Sequence, residues 1–186
     1  LDNLESVTNE VKLMMDPTAD PFAAPANPDE VPAKFGASDV QDLNWVQLLN
    51  AYSCTECGRC TSVCPANITG KKLSPRKIMM DTRDRLQEVG ENIDLNKGIF
   101  VADGKSLLND YITPEELWAC TSCNACVEEC PINISPLSII VDMRRYLVME
   151  QSAAPKELNH MMTNIENNGA PWQYTQMDRL NWANED

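Results

Sequence analysis

The sequence contains one stretch twice, first as Cys54-Thr-Glu-Cys57-Gly-Arg-Cys60-Thr-Ser-Val-Cys64-Pro65 and again as Cys120-Thr-Ser-Cys123-Asn-Ala-Cys126-Val-Glu-Glu-Cys130-Pro131. Both copies have the form C-x-x-C-x-x-C-x-x-x-C-P. All 8 cysteines of the 186-residue chain fall within them. Thiolates at three-residue intervals in a turning loop can converge on one centre. The chain therefore has enough thiolates for two sets of four.

This spacing is that of the cysteine runs that bind 4Fe-4S clusters in two-cluster ferredoxins. A disulfide framework is disfavoured because triplets at three-residue intervals suit ligands converging on one cluster. Zinc sites are also disfavoured, since zinc is bound by pairs of cysteines and here each triplet is followed by a fourth Cys and a Pro. The sequence predicts two 4Fe-4S clusters as cofactors and a reducing compartment.

The fourth cysteine of each run is expected to bind the cluster of the other run, as in two-cluster proteins of this kind. This exchange ties the two halves of the chain together, so the protein without iron should fold poorly. The predicted ligands are Cys54, Cys57, Cys60 and Cys130 for cluster 1, and Cys64, Cys120, Cys123 and Cys126 for cluster 2.

Four further residues are predicted to shape the cluster sites. Gly58 and Asn124 hold equivalent positions in the two runs and tolerate positive φ, which would aim backbone N–H groups at cluster sulfurs. Pro65 and Pro131 turn the chain away after the fourth cysteine. Arg59 near one cluster and the pair 128–129 (Glu-Glu) near the other could set different potentials; the simpler interpretation is that they are solvated charges.

The repeat is longer than the cysteine runs. After a five-residue insertion in the first copy, the residues that follow the runs match again. The pattern predicts a mostly α fold with two pseudo-symmetric 4Fe-4S-binding halves. Each half would consist of a helix, a cysteine run, a loop and a helix started by Ser-Pro. The matching pairs are Pro75 and Pro136, Ile78 and Ile139, Asp81 and Asp142, Arg83 and Arg144, and Leu86 and Leu147.

The flanking segments suggest three parts: an N-terminal helix and Pro-rich docking segment (1–37), the di-cluster domain (38–168) and an irregular Trp-bearing tail (169–186). A helix capped by Ser38 or Asp39 should run to about Tyr52 and bury an apolar face. The helix that starts at Pro75 should stop at Gly90.

Composition excludes several function classes. A net charge of -13 disfavours nucleic acid as a partner. No apolar run approaches the length of about 18 residues that spans a bilayer. The chain has one histidine, His160, so it cannot form a bis-His haem site by itself. No Gly-rich nucleotide loop follows a predicted strand, and the sequence indicates no catalytic residue.

The chain resembles the α-helical ferredoxin domain of the heterodisulfide reductase C subunit and of related Fe-S oxidoreductases, such as the iron–sulfur subunits of anaerobic glycerol-3-phosphate dehydrogenase and glycolate oxidase. The resemblance covers about residues 38–182 and includes the stretch 164–172 (Asn-Ile-Glu-Asn-Asn-Gly-Ala-Pro-Trp), Arg179 and Trp182. It implies a partner with a Cys-Cys-Gly domain or a flavoprotein. Further candidates are a membrane haem or quinone subunit and a membrane domain preceding Leu1.

Together these features predict an electron-transfer subunit of an oxidoreductase complex that is not catalytic alone. It would relay single electrons between a partner redox subunit and a second acceptor, with membrane quinone as the expected acceptor, at the cytoplasmic face of the membrane. One alternative is a subunit that shapes a catalytic site shared with a Cys-Cys-Gly partner, for disulfide or 2-hydroxy-acid chemistry. Another is a cluster protein that only holds a complex together.

Overall fold

The structure is a computed structural model that describes residues 34–183 together with residues 8, 11–12 and 15–18. Among these residues it contains no strand beyond an isolated bridge between Leu108 and Ile112, so the prediction of a mostly α fold is confirmed. Most of the predicted N-terminal helix and of the Pro-rich segment lies outside the described residues; Thr8, Val11, Lys12 and Met15, which are described, are helical. The α-helices are α1 (Trp45–Ser53), α2 (Arg59–Ser62), α3 (Pro65–Ile68), α4 (Pro75–Leu95), α5 (Pro114–Ala119), α6 (Ala125–Glu128), α7 (Pro136–Arg145) and α8 (Lys156–Asn168).

The chain divides into two compact units, Leu1–Glu150 and Gln151–Asp186. The first unit contains both cysteine runs. The second contains α8, which ends at Gly169 in the left-handed conformation, as the Asn-Gly pair predicts. A 3₁₀-helix spans Gln176–Ala183 where the sequence predicted an irregular tail. The proposed domain boundaries at 37/38 and 168/169 stay predictions.

The two longer helices after the cysteine runs begin in the same way. Ser74 and Ser135 each accept a hydrogen bond from a backbone N–H of the first turn, and a proline occupies the first position of α4 and of α7. Helix α4 packs against both α1 and α7. The equivalent residues Ile78 and Ile139 are both fully buried. The predicted repeat is therefore present in local structure and in packing.

The helix before the first run is shorter than predicted. Asp39 caps only a single 3₁₀ turn, Val40–Asp42, and α1 starts anew after Asn44. Asn44 and Gln47 form a capping box, each side chain accepting from the backbone N–H of the other at 2.9 Å. This break turns Gln47 and Ala51 into the core. The predicted apolar face is divided: Val40 and Leu43 are buried, whereas its members on α1 are largely exposed, with Trp45 at 73% exposure.

Helix α4 continues five residues past Gly90, where the sequence predicted its end. Its last turns hold the segment that follows, because the Asn92 side chain donates to the Val101 carbonyl and accepts from the Val101 N–H, both at 2.9 Å. The glycine is tolerated inside the helix at a cost of about 1 kcal/mol.

A buried arginine of α4 binds the chain segments that precede and follow this helix. Arg85 is fully buried and its guanidinium binds the carboxylates of Asp39, at 2.7 Å, and of Asp103. It also donates to the Lys105 carbonyl at 2.9 Å. The Arg85 hydrogen bonds lower the pKa of Asp103 to about 2. This network positions the segment that leads into the first cysteine run.

Candidate metal centres

The two cysteine runs have the same backbone course. Residues two and four positions after the first cysteine have positive φ in both copies: Glu56 (58°) and Gly58 (81°) in one, Ser122 (55°) and Asn124 (61°) in the other. Gly58 and Asn124 therefore have positive φ, and their role toward cluster sulfurs stays a prediction. The short helices that follow within the runs, α2 and α6, pack against each other. This contact brings the two runs together.

The first cavity is partly open to solvent and is bounded by five cysteines. They include the three leading cysteines of the first run and the last cysteine of the second, which is the combination predicted for cluster 1. Gly58 and Pro131 line it as well. Its cysteines are Cys54, Cys57, Cys60, Cys126 and Cys130.

The second cavity, also partly open to solvent, has the reciprocal composition. It takes the last cysteine of the first run and the three leading cysteines of the second, the combination predicted for cluster 2. Pro65 and Asn124 line it. Its cysteines are Cys64, Cys120, Cys123 and Cys126. Cys126 thus faces both cavities.

Residues other than cysteine also reach each cavity from both halves of the chain. Met79 of α4 lines the first cavity beside Pro136 of α7, whereas Ile140 of α7 lines the second beside Pro75 of α4. By the sequence repeat, Met79 corresponds to Ile140 and Pro75 to Pro136. Each cavity is therefore built by both halves, with walls that are mostly apolar.

The donor set fits two iron–sulfur clusters. Each cavity contains the four thiols of the predicted combination, with Cys126 as a fifth at the first cavity. Two backbone N–H groups already point at cysteine sulfur: Ser122 N–H to Cys120 Sγ and Ile134 N–H to Cys130 Sγ, both at 3.4 Å. Such N–H···S bonds stabilise electron-rich sulfur.

The protonation of the thiols shows what the metal must supply. Burial raises the pKa of Cys60, and burial followed by the charges of neighbouring thiolates, Cys120 first, raises that of Cys126 to about 12. A thiol with so high a pKa is neutral at pH 7. Iron binding must therefore displace protons, and the metal charge offsets the repulsion between thiolates.

Charged groups are distributed unequally around the cavities. Arg59 and Arg76, both exposed, line the first cavity, and Leu137 occupies the place of Arg76 in the second. Glu128 and Glu129 are exposed and line neither cavity. Arg76 was not among the predicted site residues, although the repeat aligns it with Leu137 and contains this asymmetry.

Two features outside the cavities complete the description. His160 is exposed, and one nitrogen of its ring lies 3.3 Å from Gln173 Nε2. Among the residues that the structure describes, no helix has the length and apolar character needed to cross a membrane.

Comparison with known proteins indicates the same cofactors as the arrangement of the cysteines around the two cavities. A family model described as a 4Fe-4S dicluster domain matches residues 53–134, and a second model of the same description matches residues 20–69. The chain carries a 4Fe-4S dicluster domain. Its cofactors are two 4Fe-4S clusters. The relatives of this dicluster chain include iron–sulfur oxidoreductases and heterodisulfide reductase subunits, which is the resemblance the sequence indicated.

Three relatives illustrate the range. The dicluster chain is 35% identical to "Probable iron-sulfur-binding oxidoreductase FadF" of Bacillus subtilis (84% of this chain, 26% of the relative) and 34% identical to "EtfAB:quinone oxidoreductase" of Syntrophomonas wolfei (81% and 24%). It is 33% identical to the C subunit of the ferredoxin/F(420)H(2)-dependent CoB-CoM heterodisulfide reductase of Methanosarcina acetivorans (58% and 53%). The chain spans about a quarter of the first two relatives and about half of the third.

Proposed function

We propose that this chain is the electron-transfer part of an oxidoreductase complex and relays single electrons between a partner redox subunit and membrane quinone. The observation that carries the proposal is that Cys126 lines both cavities. Two clusters held in these cavities would be neighbours, and an electron could pass from one to the other within the chain.

Each cavity also has a thiol at the protein surface. Cys57 of the first cavity and Cys123 of the second are exposed, whereas Cys64 is buried. The chain therefore offers one point of contact for each cluster. This arrangement suits a relay with a donor on one side and an acceptor on the other.

The names of the relatives support the choice of partners. One of them is named as an oxidoreductase that acts between EtfAB and quinone. By analogy we propose a flavoprotein as electron donor and quinone as acceptor for the complex that contains this chain. A quinone acceptor in turn places the complex at a membrane, and the reduced thiolates favour its cytoplasmic face.

Rapid mixing tests this proposal. The chain is loaded with iron and sulfide without oxygen, reduced with dithionite and mixed with a water-soluble quinone, while cluster absorbance is recorded. Two clusters give two electrons, and a quinone takes two electrons and two protons, so one quinol should form per chain. The iron-free chain is the control. Clusters that remain reduced in the presence of quinone would contradict the proposed acceptor.

A second candidate follows from the similarity to a heterodisulfide reductase C subunit. In this case the chain would deliver electrons to a catalytic site shared with a Cys-Cys-Gly partner. The same reduced chain, mixed with a quinone and separately with that partner and its disulfide substrate, distinguishes the two candidates. Oxidation by the partner and substrate but not by quinone would favour this alternative.

A further inference from the structure

Two equivalent arginines reach the two cysteine loops. Arg83 of α4 and Arg144 of α7 stand eight residues after the prolines that start their helices. Arg83 Nη2 lies 2.7 Å from Glu56 Oε1, and Arg144 Nη1 lies 3.4 Å from Ser122 Oγ. Glu56 and Ser122 are themselves equivalent, since each is two residues after the first cysteine of its run and each has positive φ. The loops thus differ in charge at one matched contact.

In the first half, the arginine charge is neutralised. Arg83 pairs with Glu56 and has a second, longer contact to Asp84 at 3.4 Å. The Glu56 hydrogen bond raises the pKa of Arg83. The pair as a whole has no net charge and adds little to the potential at the first cavity.

In the second half, the arginine charge is not neutralised. Within residues 34–183, Arg144 has no carboxylate partner: its guanidinium donates to the backbone carbonyls of Leu117, at 3.0 Å, and of Cys120, and to the Ser122 hydroxyl. It also lies 5.0 Å from the centroid of the Trp118 ring. Arg144 is only partly exposed, so solvent screens its charge less than that of a surface arginine.

The position of this charge matters because Cys120 belongs to the second cavity. A cluster gains negative charge on reduction, so a nearby cation stabilises the reduced state and raises the reduction potential. The guanidinium stays charged at any physiological pH. Arg59 and Arg76 add positive charge at the first cavity, but both are exposed and neither is altered by the substitutions below.

We propose that Arg144 is a positioning residue that raises the reduction potential of the cluster bound by Cys120, Cys123 and Cys126, and that Glu56 cancels the equivalent effect of Arg83 on the other cluster. This inference depends on the proposed function only through the presence of two reducible clusters. It concerns how their potentials are set and not which partners exchange electrons with them.

A reciprocal exchange of the matched residues tests the inference. In the loaded chain, Ser122→Glu supplies the carboxylate that Arg144 lacks, and Glu56→Gln removes the one that Arg83 has. The backbone accepts Glu at position 122 because Glu56 has nearly the same φ. Redox titration followed by electron paramagnetic resonance should show one cluster at a lower potential in Ser122→Glu and the other at a higher potential in Glu56→Gln.

Two variants of the arginine separate charge from structure. Arg144→Gln should lower the potential of the same cluster that Ser122→Glu affects, and Arg144→Lys should restore it because the charge is kept. If Ser122→Glu does not load with iron, Arg144→Gln carries the test. The inference is overturned if the potentials are unchanged or shift in the opposite direction. It is also overturned if Ser122→Glu and Glu56→Gln shift the potential of the same cluster. None of these outcomes depends on whether quinone accepts electrons. Failure of this inference can therefore be distinguished from failure of the proposed function.

Discussion

Gln47, on the helix before the first cysteine run, donates a 2.7 Å hydrogen bond from Nε2 to Oδ2 of Asp142, on the helix after the second run. The other half has a related link. Glu116, before the second run, lies 2.9 Å from Lys77 Nζ, which lies 2.6 Å from Asp81 after the first run. Asp81 and Asp142 are equivalent in the repeat. The two halves are therefore joined crosswise by polar contacts as well as by the arrangement of the cysteines.

The Gln47–Asp142 bond should contribute measurably to stability. Gln47→Leu removes this bond and the acceptor for the Asn44 N–H, and it leaves Asp142 with one fewer donor at a partly buried contact. We expect the free energy of unfolding of the loaded protein to fall by about 1.5–3 kcal/mol, the range for hydrogen bonds to charged groups. Denaturant titration measures it. Gln87→Leu, at an exposed position of α4, should change stability by less than about 0.5 kcal/mol; equal losses for both variants would contradict the prediction.

Arg85 should be the most costly charged residue to remove. Arg85→Met leaves the carboxylates of Asp39 and Asp103 without the guanidinium that binds both. Breaking a buried pair in this way costs about 3–5 kcal/mol. The matched control is Lys105→Met, which removes an exposed, solvent-screened pair with Glu88 and should leave the unfolding temperature nearly unchanged. Thermal unfolding of the two loaded variants compares them, and the prediction is wrong if Arg85→Met unfolds at the same temperature as the control.

Gly36 is a position where only glycine fits. Its φ is +72°, and an added Cβ would collide with the Asp142 carbonyl oxygen and the Tyr146 nitrogen. Gly70 provides the control, because its φ is +79° but nothing lies within 4 Å of an added Cβ. We expect Gly70→Ala to cost about 1–2 kcal/mol for the left-handed conformation alone. Gly36→Ala should cost about 1–3 kcal/mol more, since the helix must shift. Indistinguishable unfolding midpoints would show that α7 yields without cost.

Local chemistry explains which parts of the fold could be predicted. Ser74-Pro75 and Ser135-Pro136 each start a helix, because the serine oxygen and the proline ring act on the adjacent turn. The start of α1 was not predictable in the same way, since the alternation of apolar residues from Val40 to Tyr52 fits one continuous helix. Where α1 starts depends on Gln47, whose burial is explained by its hydrogen bond to Asp142, 95 residues away.

The same distinction applies to the site. The cysteine spacing and the precedent of two-cluster proteins indicated which thiols meet at each cavity, while the ligand sets themselves stay a prediction. The charges around the clusters were not predictable from spacing, since Arg76 and Arg144 become relevant only through packing. The repeat nevertheless aligned Arg83 with Arg144, and the difference between Glu56 and Ser122 was present in the sequence.

The exchange of the fourth cysteine can be tested by single substitutions. Cys130 lies in the second run but lines the first cavity with Cys54, so Cys130→Ser and Cys54→Ser should perturb the same cluster. Cys64→Ser and Cys120→Ser should perturb the other. Serine keeps the size of the side chain but binds iron less well than thiolate, so the altered cluster should show a shifted resonance spectrum or be lost.

Pairwise combination makes this test decisive. In Cys54→Ser with Cys130→Ser, one cluster loses two ligands and the other keeps all four, so iron analysis should fall from about eight to about four atoms per chain while one resonance signal survives. In Cys54→Ser with Cys64→Ser, both substitutions lie in the first run but in different cavities. Each cluster then lacks one ligand, and both signals should change. If the second pair instead spared one cluster completely, each run would bind its own cluster, and the crosswise assignment would be wrong.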